Sequence, residues 1–203
     1  MADTSISLLN SLRASGEPTS WDRLVAMYGP LLKTWLQKYD VQTSDADDLV
    51  QEVLMAVSKD IESFDHNGRA GAFRTWLRGI MVNRMRNFWR ARGQNPQAKA
   101  DSDIARRLSQ LDDPSSEMSH LWNKQHDLHV AQQLLVLAEP NFTVETWTAF
   151  TRVAIDGERP DAVAREIGIS VNAVFIAKSR VLSRLRREAA GLVETNTDFP
   201  AKS

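Results

Sequence analysis

Gly71-Ala-Phe-Arg-Thr-Trp-Leu-Arg-Gly-Ile-Met-Val-Asn-Arg-Met-Arg-Asn-Phe-Trp-Arg-Ala-Arg92 is the stretch on which the reading of this chain turns. Phe73, Trp76, Leu77, Ile80, Met81 and Phe88 recur at helical spacing and predict one apolar stripe about as wide as a buried face. From His66 to Ala100 there is no Asp or Glu, whereas Arg69, Arg74, Arg78, Arg84, Arg86, Arg90, Arg92 and Lys99 all fall in that window. A helix that is apolar on one side, basic on the other and crossed by Asn83, Asn87 and Trp89 has the chemistry of a nucleic-acid face. Guanidinium forks match phosphate, and Asn and Trp reach bases by hydrogen bonding and stacking. A solvated Arg-rich helix would read the same in isolation, so the flanking sequence decides.

Directly upstream, Asp40 to Asp65 carries eight acidic residues against Lys59 alone. The net charge of the 203-residue chain is only −1, so any attraction to a polyanion must come from this local asymmetry. Thr43 or Ser44 is expected to cap a helix with Leu49, Val50, Val53, Leu54 and Val57 inward, and Asp45 and Asp47 at its positive N-terminal end. Before it, Ser20 reads as the cap of a helix carrying Trp21, Leu24, Val25, Tyr28, Leu31, Leu32, Trp35 and Leu36 at helical spacing. Gly29-Pro30 should kink or break that helix, because Pro lacks the amide donor and clashes with the preceding turn. Ile6, Leu8, Leu9 and Leu12 predict a short, loosely docked arm ahead of Gly16 and Pro18.

Downstream, Gln-Asn-Pro-Gln and Asp-Asp-Pro-Ser-Ser mark 93–116 as a linker with a weak helical piece from Ile104 to Leu111. Leu121, Leu128, Ala131, Leu135 and Ala138 predict one further helix, and Val144, Trp147, Thr151 and Ala154 another, closed by Gly157. Pro160-Asp-Ala-Val-Ala-Arg-Glu-Ile-Gly-Ile-Ser-Val-Asn-Ala-Val-Phe-Ile-Ala-Lys-Ser179 then fits a helix-turn-helix. Pro160 suits a first turn, Ala164 is small where two helices cross, and Gly168 accepts a positive φ. Ser170 caps the second helix, whose Val174 and Ala177 pack back on the first. Its exposed residues would be Asn172, Phe175, Ile176, Lys178 and Ser179, with Arg180, Arg184, Arg186 and Arg187 behind. The N-terminal part of such a helix enters the major groove of DNA.

Strand signals are nearly absent. The expected fold is all-α: two small helical domains joined by a linker, the C-terminal one holding the helix-turn-helix. The expected segments are an arm 1–19, a helical domain 20–92, the linker 93–116, a second domain 117–194 and a tail 195–203. Apolar content of 42% with 25% charged residues is ordinary for soluble protein. Zero cysteines exclude disulfides and thiolate metal sites and fit a reducing cytoplasm. No stretch approaches the roughly 18 apolar residues of a membrane span, so no membrane association is expected.

Three constellations tempt. Asp45, Asp48 and Glu52 at i, i+3 and i+7 could approach a divalent cation, but a metal site would want ligands converging from elsewhere, and an acidic docking face is the better reading. Glu117 and His120 have the Glu-x-x-His spacing of di-iron bundles in a single copy, and His126 and His129 share a face without a third ligand. No phosphate loop or nucleophile elbow is present, so neither metal, cofactor nor enzyme activity is expected.

An acidic helix, an aromatic–arginine helix, a linker and a helix-turn-helix, in that order, resemble the sigma-70 family of RNA polymerase specificity subunits, and among them the two-domain extracytoplasmic-function class. Asp45-Ala-Asp-Asp-Leu-Val-Gln-Glu-Val53 is similar to the family's core-binding signature. Gly71 to Asn83 is similar to its promoter-melting and −10-reading helix, and Ile167 to Val174, continuing through Leu185-Arg186, to its −35-reading region. Together these cover most of residues 20–190. The resemblance implies a non-enzymatic subunit that directs core RNA polymerase to a subset of promoters and helps to melt them. It implies core RNA polymerase and promoter DNA as partners and leaves room for an anti-sigma factor.

Residue by residue, the resemblance assigns core binding to Asp45, Asp48, Leu49, Gln51 and Glu52. It assigns −10 DNA to Phe64, His66, Arg69, Arg74, Trp76, Arg78, Asn83, Arg86, Asn87 and Arg90. It assigns −35 DNA to Ser170, Asn172, Ala173, Phe175, Ile176, Lys178, Ser179, Arg180 and Arg184. The family usually carries Thr near Ala173 and Ser-Arg near Ile176-Ala177, so its −35 code does not carry over. The rival reading is a helix-turn-helix regulator that acts without polymerase, which would ordinarily be a dimer on palindromic sites.

Overall fold

A computed structural model describes residues 8–15, 18–65, 71–92 and 103–193. All of its regular structure among these is helical. The described residues group into two compact units, Leu8–His126 and those from Asp127 onward.

The first unit is built from α1 (Leu8–Ser15), α2 (Pro18–Gln37), α3 (Thr43–Asp60), α4 (Ala72–Ala91), α5 (Asp103–Asp112) and the first half of α6 (Glu117–Ala138). α1 is not a loose arm: Leu8, Leu9 and Leu12 are all buried, and α1 packs on α2. Ile6 lies outside the described residues. α2 starts at Pro18, so Ser20 is a buried first-turn residue and not the cap. The helix runs unbroken through Pro30. Pro30 and Ala26, whose carbonyl loses its donor, are both exposed, while Met27, Tyr28, Leu31, Leu32, Trp35 and Leu36 are buried on the other side. Water can take the freed carbonyl, and the apolar face holds the helix together across the gap.

α3 also lacks the expected cap. Gln42 is the extended N-cap residue and makes no side-chain bond, and Thr43 is already helical. Ala46, Leu49, Val53, Leu54, Ala56 and Val57 are buried against α2 and α4, whereas Val50 is only half-buried. α5 packs on α4 through Leu108 and Leu111, and α6 inserts Trp122, fully buried and edge-on to Trp35 at 5.2 Å between ring centroids. The Trp122 indole N–H donates to the Arg74 carbonyl at 3.1 Å. Residues 103–126 therefore belong to the first compact unit, whereas the sequence reading placed 93–116 as a linker and opened a second domain at 117.

The second unit holds the rest of α6, a 3₁₀ turn (Glu139–Asn141), α7 (Val144–Phe150) continued by a π-helical segment (Thr151–Ile155), α8 (Pro160–Ile167) and α9 (Val171–Ala189). In α6, Val130, Ala131, Leu134 and Ala138 are buried, while Leu128, expected inside, is 42% exposed. Val144, also expected inside, is exposed, and Ala149 and Phe150 are the buried residues of α7. Ala149, Ala164, Val174 and Ala177 form a core where α7, α8 and α9 meet, with Val153, Ile167 and Ile169 against it. Gly168 turns between α8 and α9 with φ of 74°, the left-handed region where a side chain is strained.

Candidate nucleic-acid interface

The acidic helix and the arginine helix pack on each other, and their charges meet along the seam. Asp45 accepts from Arg92 at 2.7 Å, Glu52 lies 4.0 Å from Arg84, and Asp47 pairs with Lys33 at 2.6 Å. On the other flank, Asp112 of α5 pairs with Arg86 at 3.0 Å. The Arg92 guanidinium also stacks over the Phe88 ring at 4.4 Å, and Arg90 donates to Asn87 at 3.1 Å. The basic face of α4 is thus substantially paired with carboxylates of the same unit. Of the five α3 residues expected to dock, Asp48, Gln51 and Glu52 are exposed and Asp45 is half-buried. Leu49 is a core residue at 3% exposure and presents nothing outward.

The basic face is also smaller than its sequence suggests. Arg74 and Arg78 are 7% and 3% exposed, inside the unit with Phe73, Leu77, Met81, Val82, Met85 and Trp89. Trp89, expected to cross the exposed face, is buried, while Trp76, Ile80 and Phe88 are half-buried. Asn83, Asn87 and Arg90 are exposed, and Arg86 is half-buried. Burial pulls the Arg78 guanidinium below its ordinary pKa, and Asp112 works against that. Asp113, next along, is held low by hydrogen bonds from the Ser115 hydroxyl and amide. Gly71 opens α4 with φ of 72°, and a Cβ there would stand 2.7 Å from the Arg74 guanidinium. The positive φ calls for glycine there, and a Cβ would in addition displace the end of the Arg74 side chain.

Phe64, assigned to −10 DNA, is packed into the unit. It stacks on Trp76 at 4.6 Å, meets Phe73 edge-on at 5.8 Å, and lies under the Arg13 guanidinium, which donates to the Phe64 carbonyl. His66 and Arg69 lie outside the described residues. His126, expected at the surface or core edge, is fully buried, with its ring 5.6 Å from Tyr28 and 6.2 Å from Trp122. Among the described residues no three His, Cys, Asp or Glu side chains gather as metal ligands, and no helix is long and apolar enough to cross a membrane.

In the second unit α8, the Gly168 turn and α9 fall where the spacing places two helices and a turn. The Ser170 hydroxyl accepts from the Ala173 amide at 3.1 Å and caps α9, and Val174 and Ala177 face α8 and α7. Asn172, Phe175, Ile176, Ser179 and Arg180 are exposed, and Ala173 and Lys178 are half-buried. Arg184 lies along the helix and pairs with the buried Glu188 at 3.1 Å. Arg152, in the π-helical segment, grips Glu158 with two bonds, Nε at 2.8 Å and Nη2 at 2.5 Å, and reaches Glu166 of α8 at 2.6 Å. These bonds raise the Arg152 pKa and hold Glu158 below the carboxylate range. They tie the π-helical segment to Glu158 in the following turn and to Glu166 of α8.

Sequence reasoning missed several residues around these faces. Asp112, which covers Arg86, sat in a presumed linker. Asn141, Phe142 and Ser183, likewise missed, line with Ser179, Arg180, Arg184, Arg186 and Arg187 a cleft of about 680 Å³ beside α9. The repeat of Arg or Ser at positions 179, 180, 183, 184, 186 and 187 was the legible signal for it.

The match with known proteins falls on the first of these faces. Residues 24–94 match the family model described as sigma-70 region 2, a span that takes in most of α2 and all of α3 and α4. That stretch is similar to sigma-70 region 2. RNA polymerase sigma factor CnrH of Cupriavidus metallidurans is 32% identical over 42% of this chain and 43% of its own length. The ECF RNA polymerase sigma-E factor of Haemophilus influenzae is 32% identical over 51% and 56%, and RNA polymerase sigma factor NccH of Alcaligenes xylosoxydans over 45% and 48%. The chain thus spans about half the length of the curated relatives it matches. A solved structure of CnrH in complex with the cytosolic domain of CnrY aligns over 88% of this chain and 92% of that one. Its identity is 22% and its TM-score 0.36, too distant to bear on the geometry here. The relatives named are sigma factors, one of them of the extracytoplasmic-function class; the matched stretch, most of α2 with α3 and α4, is called region 2 below by that likeness.

Proposed function

We propose that this chain is a sigma factor of the extracytoplasmic-function class, directing core RNA polymerase to a subset of promoters and assisting their melting, with no catalytic chemistry of its own. The observation that carries the reading is the coincidence of the region 2 match with the packed pair of α3 and α4. In this reading Asp48, Gln51 and Glu52 dock on polymerase from the exposed side of α3. Asn83, Arg86, Asn87 and Arg90, with the Phe64–Trp76 stack, meet the −10 element. The helix-turn-helix reads the −35 element, and an anti-sigma factor is a partner the same surfaces could accept. The site of action is the cytoplasm, with the polymerase.

The ion pairs of α4 add a step. Arg86 and Arg92 must release Asp112 and Asp45 before they can neutralise phosphate, and each phosphate contact gains through counterion release. Free chain should therefore bind promoter DNA poorly, and binding should appear with core polymerase. The test is size-exclusion chromatography with core RNA polymerase followed by run-off transcription. A one-to-one complex that initiates at specific sites supports the reading. Tight, specific binding by the chain alone, with no polymerase complex, would establish the helix-turn-helix regulator instead.

A further inference from the structure

α9 has two chemically different halves. Val171-Asn-Ala-Val-Phe-Ile-Ala177 contains no charge and one polar side chain, Asn172, whereas Lys178, Arg180, Arg184, Arg186 and Arg187 follow within the next ten positions. Val174 and Ala177 are spent on the core, so the remaining large apolar groups of the first half turn outward. Phe175 is 52% exposed, Ile176 49% and Val171 40%. At 100° per residue Phe175 and Ile176 stand on either side of Asn172 and of Ser179, on the solvent side of the helix. Single exposed apolar residues need no explanation, but an aromatic ring and a branched chain that flank the outward line of the same helix turn form an apolar face.

The second half says what kind of molecule would cover it. Arg180, Arg184, Arg186 and Arg187, with Ser179, Ser183 and Asn141, line the cleft along the same helix, a surface for a polyanion. Duplex DNA offers phosphates and, in its major groove, one apolar group: the C5-methyl of thymine. Phe175 and Ile176 carry no donor or acceptor on their side chains, so they cannot read a base edge by hydrogen bonding. The methyl is the feature they can distinguish.

Resting on the reading of α9 as a duplex reader, we propose that Phe175 and Ile176 are its specificity-determining contacts and select thymine by its methyl group, while the arginines behind them hold phosphate.

The test isolates the methyl. Duplexes are selected from a pool randomised in the upstream element, once with the full chain and core RNA polymerase and once with the full chain alone. Each thymine of the selected sequences is then replaced singly by deoxyuridine, which removes the methyl and keeps every hydrogen-bonding group. We expect about fourfold weaker binding at one or two positions, the worth of one desolvated methyl group, and restored binding when 5-methylcytosine supplies a methyl there. Phe175→Ala and Ile176→Thr, both at exposed positions, should bring the thymine-to-deoxyuridine ratio toward one while helicity is unchanged. Enrichment only without polymerase would mean that the sigma-factor reading has failed, and the deoxyuridine ratio still decides the present one. Deoxyuridine that is neutral at every position, or no enrichment in either selection, overturns the inference. So does a Phe175→Ala variant that keeps the ratio but loses polymerase, because the apolar tip would then be a protein-docking surface.

Discussion

Trp122→Ala should unfasten α6 from region 2. Trp122 is fully buried, edge-on to Trp35 at 5.2 Å, 6.2 Å from the His126 ring, and hydrogen-bonded to the Arg74 carbonyl at 3.1 Å. A buried Trp removes roughly 200 Å² from water, worth about 5 kcal/mol at ~25 cal/mol per Å². That is an upper figure, because the unfolded chain already buries part of its surface. Measured truncations of large buried aromatics bring the expectation to about 3–5 kcal/mol. At roughly 4 °C per kcal/mol for a unit of this size, the corresponding transition should fall by about 12–20 °C. Trp122→Phe keeps most of the volume but strands the carbonyl, and should cost about 1–2 kcal/mol. Urea unfolding followed by circular dichroism gives both values. A cost below about 1 kcal/mol for Trp122→Ala would mean that α5 and α6 merely rest on region 2, and that the linker reading of 93–116 was right.

Gly71→Ala should destabilise the chain by about 1–3 kcal/mol, since it adds left-handed strain to a clash with Arg74. A thermal melt unchanged within 1 °C would contradict that. Ser170→Ala should cost about 1 kcal/mol by removing the α9 cap, and Ser170→Asp should nearly restore it; equal melts for all three would show the cap to be idle. Glu158 is held below its ordinary value of 4.5 by Arg152. Its folded pKa is depressed, so its contribution is present above pH 4.5 and lost as pH falls through the folded pKa, Arg152 staying charged throughout. Glu158→Gln should flatten the acid limb of a stability-versus-pH curve, and an unchanged limb would refute the pairing. Asp48→Lys with Glu52→Lys should weaken co-elution with core polymerase while stability moves by no more than about 0.5 kcal/mol, as is usual for exposed sites; a collapsed melt would make these carboxylates structural.

What was legible was whatever local chemistry determines. The Gly168 turn, the Ser170 cap and the Val174–Ala177 pair follow from residue type and spacing over a few turns, and they hold. Arg74 and Arg78 were misjudged because charge was taken to mean exposure. They sit one position past Phe73 and Leu77, on the edge of the very stripe that those residues and Met81 define. Their burial depends on α5 and α6, contacts that a helical period cannot report. Pro30 failed as a breaker for a related reason: local propensity is a weak prior against a helix face buried along its whole length. In 93–116, loop-forming ends outweighed the Leu108–Leu111 stripe, which only a partner surface makes decisive.

The π-helical segment Thr151–Ile155 has its own consequence for how this chain could change over time. Its closing bond runs from the Asp156 amide to the Thr151 carbonyl at 2.9 Å, five residues back, so the helix here holds one residue more than an α-helical turn would. Removing a single residue here, Ala154 for example, would let the backbone relax to ordinary α spacing with little net rotation, because the widened turn already carries the extra residue within about one revolution. One codon lost at this spot could thus be absorbed by the turn itself, whereas a codon lost from an ordinary α-helical stretch would swing whatever follows by about 100° about the helix axis.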